Sequence, residues 1–134
     1  MVERQIRNGK ALRRAGMHRS DRFIGMFDGS ELVACGYHRD EPGLNARIGQ
    51  AGRYVLFIAV ADRAQGARIE GQRASDLMLR AVHSDIAHRA AETEVVAARA
   101  NHQHVGSLRL LQRNNYLVVP ETPQPTDLLH VASL

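Results

Sequence analysis

Tryptophan is missing from these 134 residues, and phenylalanine and tyrosine contribute only three each. Rings that scarce argue against a protein that grips single-stranded nucleic acid by stacking bases on aromatic side chains. A single cysteine, Cys35, excludes an internal disulfide and fits a reducing, cytoplasmic setting. It falls in an apolar, strand-like stretch and reads as an inert core thiol. No stretch approaches the roughly 20 consecutive apolar residues that a membrane-spanning helix needs. Residues 1–20 are polar and basic, without the apolar segment of a secretory signal. Lysine is nearly missing too: of 18 cationic residues, seventeen are arginine and the other is Lys10. Arginine forks suit phosphate. Codon bias is the plainer source of such a skew, so the skew alone says little about function.

What is present is globular. Hydrophobic residues make up 44% of the chain, the net charge is +4, and the length suits one domain over residues 1–134. The chain centres on residues 54–82. An apolar run over 54–60, rich in Val, Ile and Phe, reads as a buried strand. A polar loop with Gly66, Arg68, Gly71 and Arg73 follows. Then a helical period places Ala74, Leu77, Met78, Ala81, Val82 and Ile86 on one face. Strand, glycine-bearing basic loop and helix N-terminus together make a place for phosphate. Free backbone N–H groups and the positive end of the helix dipole point at whatever sits there.

Around this centre, Val2, Ile6, Leu12 and Ala15 predict an N-terminal helix within residues 1–20. Its basic charge reads as a solvated face, with contact to nucleic acid or an acidic membrane surface as the alternatives. Runs at 22–27 and 31–37 flank Asp28-Gly29-Ser30, a signal for an antiparallel hairpin. Residues 38–53, with Pro42 and three glycines, predict a long loop overhanging one end of the sheet. Past the helix, which runs to about residue 88, residues 94–100 read as another strand. The next helix carries Val105, Leu108, Leu110 and Leu111 on one face, with Ser107 in its first turn. It stops at Asn114-Asn115, because Asn tolerates the left-handed conformation. Two closing strands, 116–120 and 128–133, flank a proline-rich turn.

In this order the residues resemble the GCN5-related N-acetyltransferase (GNAT) superfamily, from about residue 21 to the C-terminus. Three features carry the likeness: the strand Ile58-Ala59-Val60 with its glycine loop and helix; the strand 95–100 running into a helix that ends with an aromatic after a short turn; and the closing strand pair with proline in its loop. The resemblance implies an α/β (α+β) fold with a mixed, mostly antiparallel, twisted central sheet flanked by helices. It is shortened at its N-terminus, with one helix where a strand and two helices are usual. Residues 54–90 would hold the central strand, phosphate loop and helix, and residues 94–134 the acceptor-side half. It further implies acetyl transfer from acetyl-coenzyme A to a primary amine, of a small molecule or a peptide, by direct attack in a ternary complex. No metal, no membrane contact and a homodimer are the matching expectations. The alternatives are a coenzyme-binding regulatory module without catalysis and, further off, a basic nucleic-acid-binding protein.

The family's phosphate loop runs Arg or Gln, two residues, Gly, one residue, Gly or Ala, and two registers fit it here. One starts at Gln65 and puts Arg68 and Glu70 at the small positions. The other, counted back from the helix, puts Arg73 and Ser75 there, and is preferred because the apolar face from Ala74 onward then phases correctly. The resemblance thus implies coenzyme contacts from Ile58, Val60, Ala61, Arg68, Gly71, Gln72, Arg73, Ala74, Ser75 and His104, with a strand amide near Val60 or Ala61 polarising the thioester. The family's tyrosine, which protonates the departing thiolate, falls at Leu111, which has no hydroxyl. His38 is the preferred base, ahead of Asp40, Glu41 and Glu94, and His104 is a second catalytic candidate near its helix start. His102 and His104 lack a third ligand at metal spacing. His83 and His88 read as surface residues, and Ser107 as a helix-start or packing serine.

Overall fold

The computed structural model describes residues 2–6, 21–40, 49–66, 68–69 and 71–134. Period-two pairing governs its first half. Strands β2 (Arg22–Asp28) and β3 (Glu31–Asp40) form the expected antiparallel hairpin. Gly29 turns it at φ 61°, in the left-handed region that glycine enters without a Cβ penalty. Strand β4 (Gly52–Val60) returns antiparallel along β3, and β1 (Val2–Ile6) pairs antiparallel with the other edge of β2.

Two expectations are corrected here. Residues 2–6 are a strand, not the start of a helix, because pairing with Phe23 to Phe27 prevails over a loose 3.6-residue stripe. The remainder of that expected helix, residues 7–20, lies outside the described residues. The expected loop over 38–53 also contracts. His38, Arg39 and Asp40 pair with Val55, Tyr54 and Arg53, which keeps β3 extended to Asp40; residues 41–48 lie outside the described residues.

Beyond β4 come a short 3-10 turn (Asp62–Ala64) and a small hairpin of β5 (Arg68–Ile69) and β6 (Gln72–Arg73). Helix α1 (Ala74–Arg89), β7 (Val95–Asn101), helix α2 (Val105–Arg113), β8 (Leu117–Val118) and β9 (Asp127–Ser133) complete the chain. The main sheet has seven strands in the order β1-β2-β3-β4-β7-β9-β8. Its one parallel contact, β4 with β7, spans the α1 connection, as parallel neighbours require a crossover. This is the mixed, mostly antiparallel sheet with flanking helices that the sequence implies.

The core lies between α1 and the sheet. Met78, Leu79, Val82 and Ile86 are wholly buried, and each such side chain contributes about 1.5–3 kcal/mol of transfer free energy. Gly36 lets the helix approach: a Cβ there would meet Val82 Cγ2 at 2.5 Å and Ile58 Cδ1 at 3.1 Å. Helix α2 ends in a Schellman motif, which satisfies carbonyls that a helix end leaves open. Asn115 sits at φ 65°, its N–H reaches the Gln112 carbonyl at 3.2 Å, and the Tyr116 N–H reaches the Leu111 carbonyl at 3.0 Å.

Candidate active site

Strand β4 changes character halfway along. Gly52 to Val55 pair with β7 in parallel register with Val95 to Ala98, and there the contact stops. Leu56 falls at a register shift, and from Phe57 to Val60 β4 pairs, among the described residues, with β3 alone, while β7 continues along β9. The gap is a cleft of about 170 Å³ between β4, β7 and α2, lined by Ile58, Arg99, Ser107 and Leu111 among others. The orientation of the β4 amides follows from one hydrogen bond. The Ala61 N–H donates to the Val33 carbonyl on β3 at 2.8 Å. Alternation along the strand then points the N–H groups of Ile58 and Val60 the other way, into the gap. The Val60 carbonyl faces that side too, where the Gln65 side-chain amide donates to it at 3.2 Å.

A second cleft, of about 130 Å³, opens where β4 ends. It is lined by Val60, Gln65, Gly66, Arg73, Ala74 and Ser75. This is the mouth of α1. Arg73 is the N-cap residue, in extended conformation, and among the described residues no side-chain cap hydrogen bond is made to the first turn. The amides there keep their donors, and the helix dipole adds positive potential. Asp76, in that same turn, points away. Its carboxylate accepts from Arg113 Nε (3.2 Å) and Nη2 (3.1 Å) and from Asn114 Nδ2 (2.9 Å), which ties the start of α1 to the end of α2. Burial opposes the charged form of Asp76, but those donors outweigh it and hold its pKa below the usual carboxylate range. The anion of the first turn is thereby neutralised away from the mouth.

The closed half of the sheet carries an ionic network instead. Arg22 grips Asp85 of α1 through Nε (3.0 Å) and Nη2 (2.9 Å), and Asp85 Oδ2 lies 2.7 Å from His38 Nε2. Arg53 Nε donates to His38 Nδ1 at 2.9 Å, and Arg53 Nη1 to Asp40 at 2.8 Å. Because Arg53 has only protons to give, Nδ1 must accept and the ring proton sits on Nε2. His38 is therefore neutral, 0% exposed, and held below its ordinary pKa chiefly by burial, against the pull of Asp85. Nearby His83 is pushed down to about 4 by burial and approaches the Tyr116 hydroxyl at 2.6 Å.

These positions revise several expectations. His38 is neither an exposed loop residue nor a base open to substrate, since both ring nitrogens are engaged inside the core. Among the other candidate bases, Asp40 pairs with Arg53 and Glu94 accepts from the Ala51 N–H at 3.2 Å; Glu41 lies outside the described residues. Ala61 has its amide committed to Val33, so the outward amides are those of Ile58 and Val60. His83 is part-buried rather than on the surface, while His88 is exposed. Arg73, Ala74 and Ser75 reach the mouth. Arg68, Gly71 and Gln72 belong to the neighbouring hairpin: Arg68 Nη1 donates to the Gly71 carbonyl at 2.9 Å, and Gln72 accepts from Arg80. The helix starts at Ala74, and the mouth is lined by Gln65 of the one register as well as by Arg73 and Ser75 of the other. His104 is the exposed N-cap residue of α2, and its Nδ1 is hydrogen-bonded to Ser107 Oγ. Among the described residues, no cluster of three potential metal ligands occurs.

Sequence reasoning missed Ser107 and Arg99. Ser107 stands one helical turn before Leu111, a spacing that puts both on one face, so its place beside the cleft was available. Arg99 lies in an apolar strand and grips Glu121 through Nη1 (2.8 Å) and Nη2 (3.2 Å); nothing local marks a partner 22 positions away.

No family model matches this chain, and no curated protein matches it in sequence. Solved structures do match in shape. A GNAT family acetyltransferase from Elizabethkingia anophelis with acetyl-CoA bound superposes with a TM-score of 0.69 at 13% identity, covering 99% of this chain and 97% of that one. NAA60 of Arabidopsis thaliana, in complex with a bisubstrate analogue, gives 0.68 at 15% identity, with 98% and 97% covered. PaiA N-acetyltransferase from Thermoplasma acidophilum, in complex with coenzyme A, gives 0.68 at 10% identity, with 95% and 68% covered. The chain has the fold of the GNAT superfamily.

Proposed function

We propose that this GNAT-fold chain transfers an acetyl group from acetyl-coenzyme A to a primary amine by direct attack. The observation that carries the reading is the parting of β4 from β7 beside an uncapped helix mouth. An extended ligand with an anionic head and an amide-bearing arm fits both parts. The first-turn amides of α1, with Arg73, hold the diphosphate. The outward N–H groups of Val60 and then Ile58 pair with the arm, much as an added strand pairs with a sheet edge. The thioester then lies toward the vertex, where Val55 and Ala98 close the gap. The hairpin adds an argument of charge. Arg68 and Arg73 are direct cross-strand partners, a like-charged pairing that costs stability unless an anion sits between them.

In such a site the chain works mainly by placement. Holding amine and thioester in line supplies up to about 7–11 kcal/mol of the barrier. The apolar lining of the cleft, from Ile58 to Leu111, keeps water from the thioester.

A second reading, a coenzyme-binding module without catalysis, is favoured by one residue. Leu111 is 5% exposed, faces the cleft, and carries no proton to give a thiolate. The two readings separate on addition of amines, since only the transferase releases thiol. A thermal-shift titration tests what they share. Acetyl-coenzyme A at about 100 times its dissociation constant adds about 2.7 kcal/mol of stability. No shift at millimolar coenzyme would remove both readings.

A further inference from the structure

Among the described residues lining the cleft between β4 and β7, only Arg99 and Ser107 have side chains with exchangeable protons. Arg99 is a poor acid. Its bidentate grip on Glu121, with a third bond to the Asp127 carbonyl at 2.9 Å, holds its proton more tightly than an ordinary arginine does. Ser107 is different. It faces the cleft one turn before Leu111, and its Oγ is hydrogen-bonded on the far side to Nδ1 of His104, an imidazole exposed to water.

We propose that Ser107, backed by His104, gives the proton to the thiolate leaving coenzyme A, a role that Leu111 cannot fill. This rests on the transferase reading above. As the amine nitrogen bonds to the thioester carbon and the C–S bond breaks, the C–S electron pair goes to sulfur. The Ser107 O–H proton moves to that sulfur. Ser107 Oγ takes the Nδ1 proton of His104 while Nε2 of the same ring takes one from water, so the relay ends with a neutral serine and a neutral imidazole. The amine's surplus proton leaves to solvent. Ser107 is thus the catalytic residue, and His104 positions its hydroxyl and replenishes it. The pairing also explains why a serine stands in the first turn of α2 although no side-chain cap bond is made there.

The test uses the full chain and coenzyme A itself, whose thiolate is followed by its ultraviolet absorbance. A hydroxyl donating to sulfur favours the ionised form. The bound thiol should ionise at lower pH in the wild type than in Ser107→Ala, by about one unit, or tenfold in the ionisation constant. His104→Ala should move it the same way by less, and Ser107→Thr should restore it. Alanine suits a helix, so Ser107→Ala folds, and unchanged thermal melting of the apo protein checks this. If coenzyme A binds both proteins and the two thiols titrate alike, Ser107 is not the donor and the transferase reading stands. If coenzyme A binds neither protein, the transferase reading falls and takes this inference with it.

Discussion

Strand β4 is two strands in one. Its first half, Gly52 to Val55, is paired on both sides, and Arg53 is drawn into a buried ionic network. Its second half is paired on one side, and its side chains lie half-buried or exposed, with Phe57 at 41%. The closed half meets its polar needs internally: Arg22, Asp85, His38, Arg53 and Asp40 satisfy one another in a line. The open half leaves the Ile58 and Val60 amides without a strand partner among the described residues, where the proposed coenzyme would supply one. On the proposed reading, stability and function are thus divided along nine residues of one element.

The division is broken most severely from the closed half. Asp85→Ala strands the His38 N–H and the Arg22 guanidinium, and removal of one partner from a buried pair costs about 3–5 kcal/mol. Chemical denaturation should show a loss of that size, with coenzyme affinity of the folded protein unchanged. A loss below about 1 kcal/mol would mean that the network is solvated and carries no load.

Acid attacks the same half. His83, at about 4, and His38 both have folded pKa values below the unfolded value near 6.5. The unfolded chain therefore binds more protons, so stability is full above pH 6.5 and declines as pH falls toward 4. Unfolding free energies from denaturation at pH 7 and pH 5 should differ by on the order of 1 kcal/mol or more. Replacing His83 with Asn should reduce the slope; an unchanged slope would show that His83 already titrates normally in the fold.

The open half answers to different substitutions. Arg73→Glu at the helix mouth should weaken coenzyme binding about tenfold, or about 1.4 kcal/mol, with stability little altered. Arg68→Glu should weaken it less, because that side chain is turned onto the Gly71 carbonyl. Equal affinities for Arg73→Glu and the wild type, with a loss in Arg68→Glu, would favour the register starting at Gln65.

Much of this was legible in the sequence wherever one local period ruled. The hairpin at Gly29, helix α1 from Ala74 and the stop at Asn115 each follow from turn chemistry or a 3.6-residue stripe. Legibility ended where partners are distant. Val2 to Ile6 carry a pattern that serves strand or helix, and only the edge of β2 decides between them. His38 looked like a loop residue near Pro42, yet its fate is set by Asp85, 47 positions away on another element. Ser107 lacked a visible partner because His104 reaches it only once the N-cap geometry of α2 is formed. The cleft at the helix mouth was legible as a kind of place, but not which amides of β4 face the open side; that depended on one hydrogen bond from Ala61 to Val33.

Amide hydrogen exchange, residue by residue with and without coenzyme A, tests the divided strand most directly. Exchange at Ile58 and Val60 should slow when the coenzyme is added, while Ala59 and Ala61, already bonded toward β3, should not change. Slowing at Ala59 and Ala61 with none at Ile58 and Val60 would contradict the account, because the arm would then lie elsewhere.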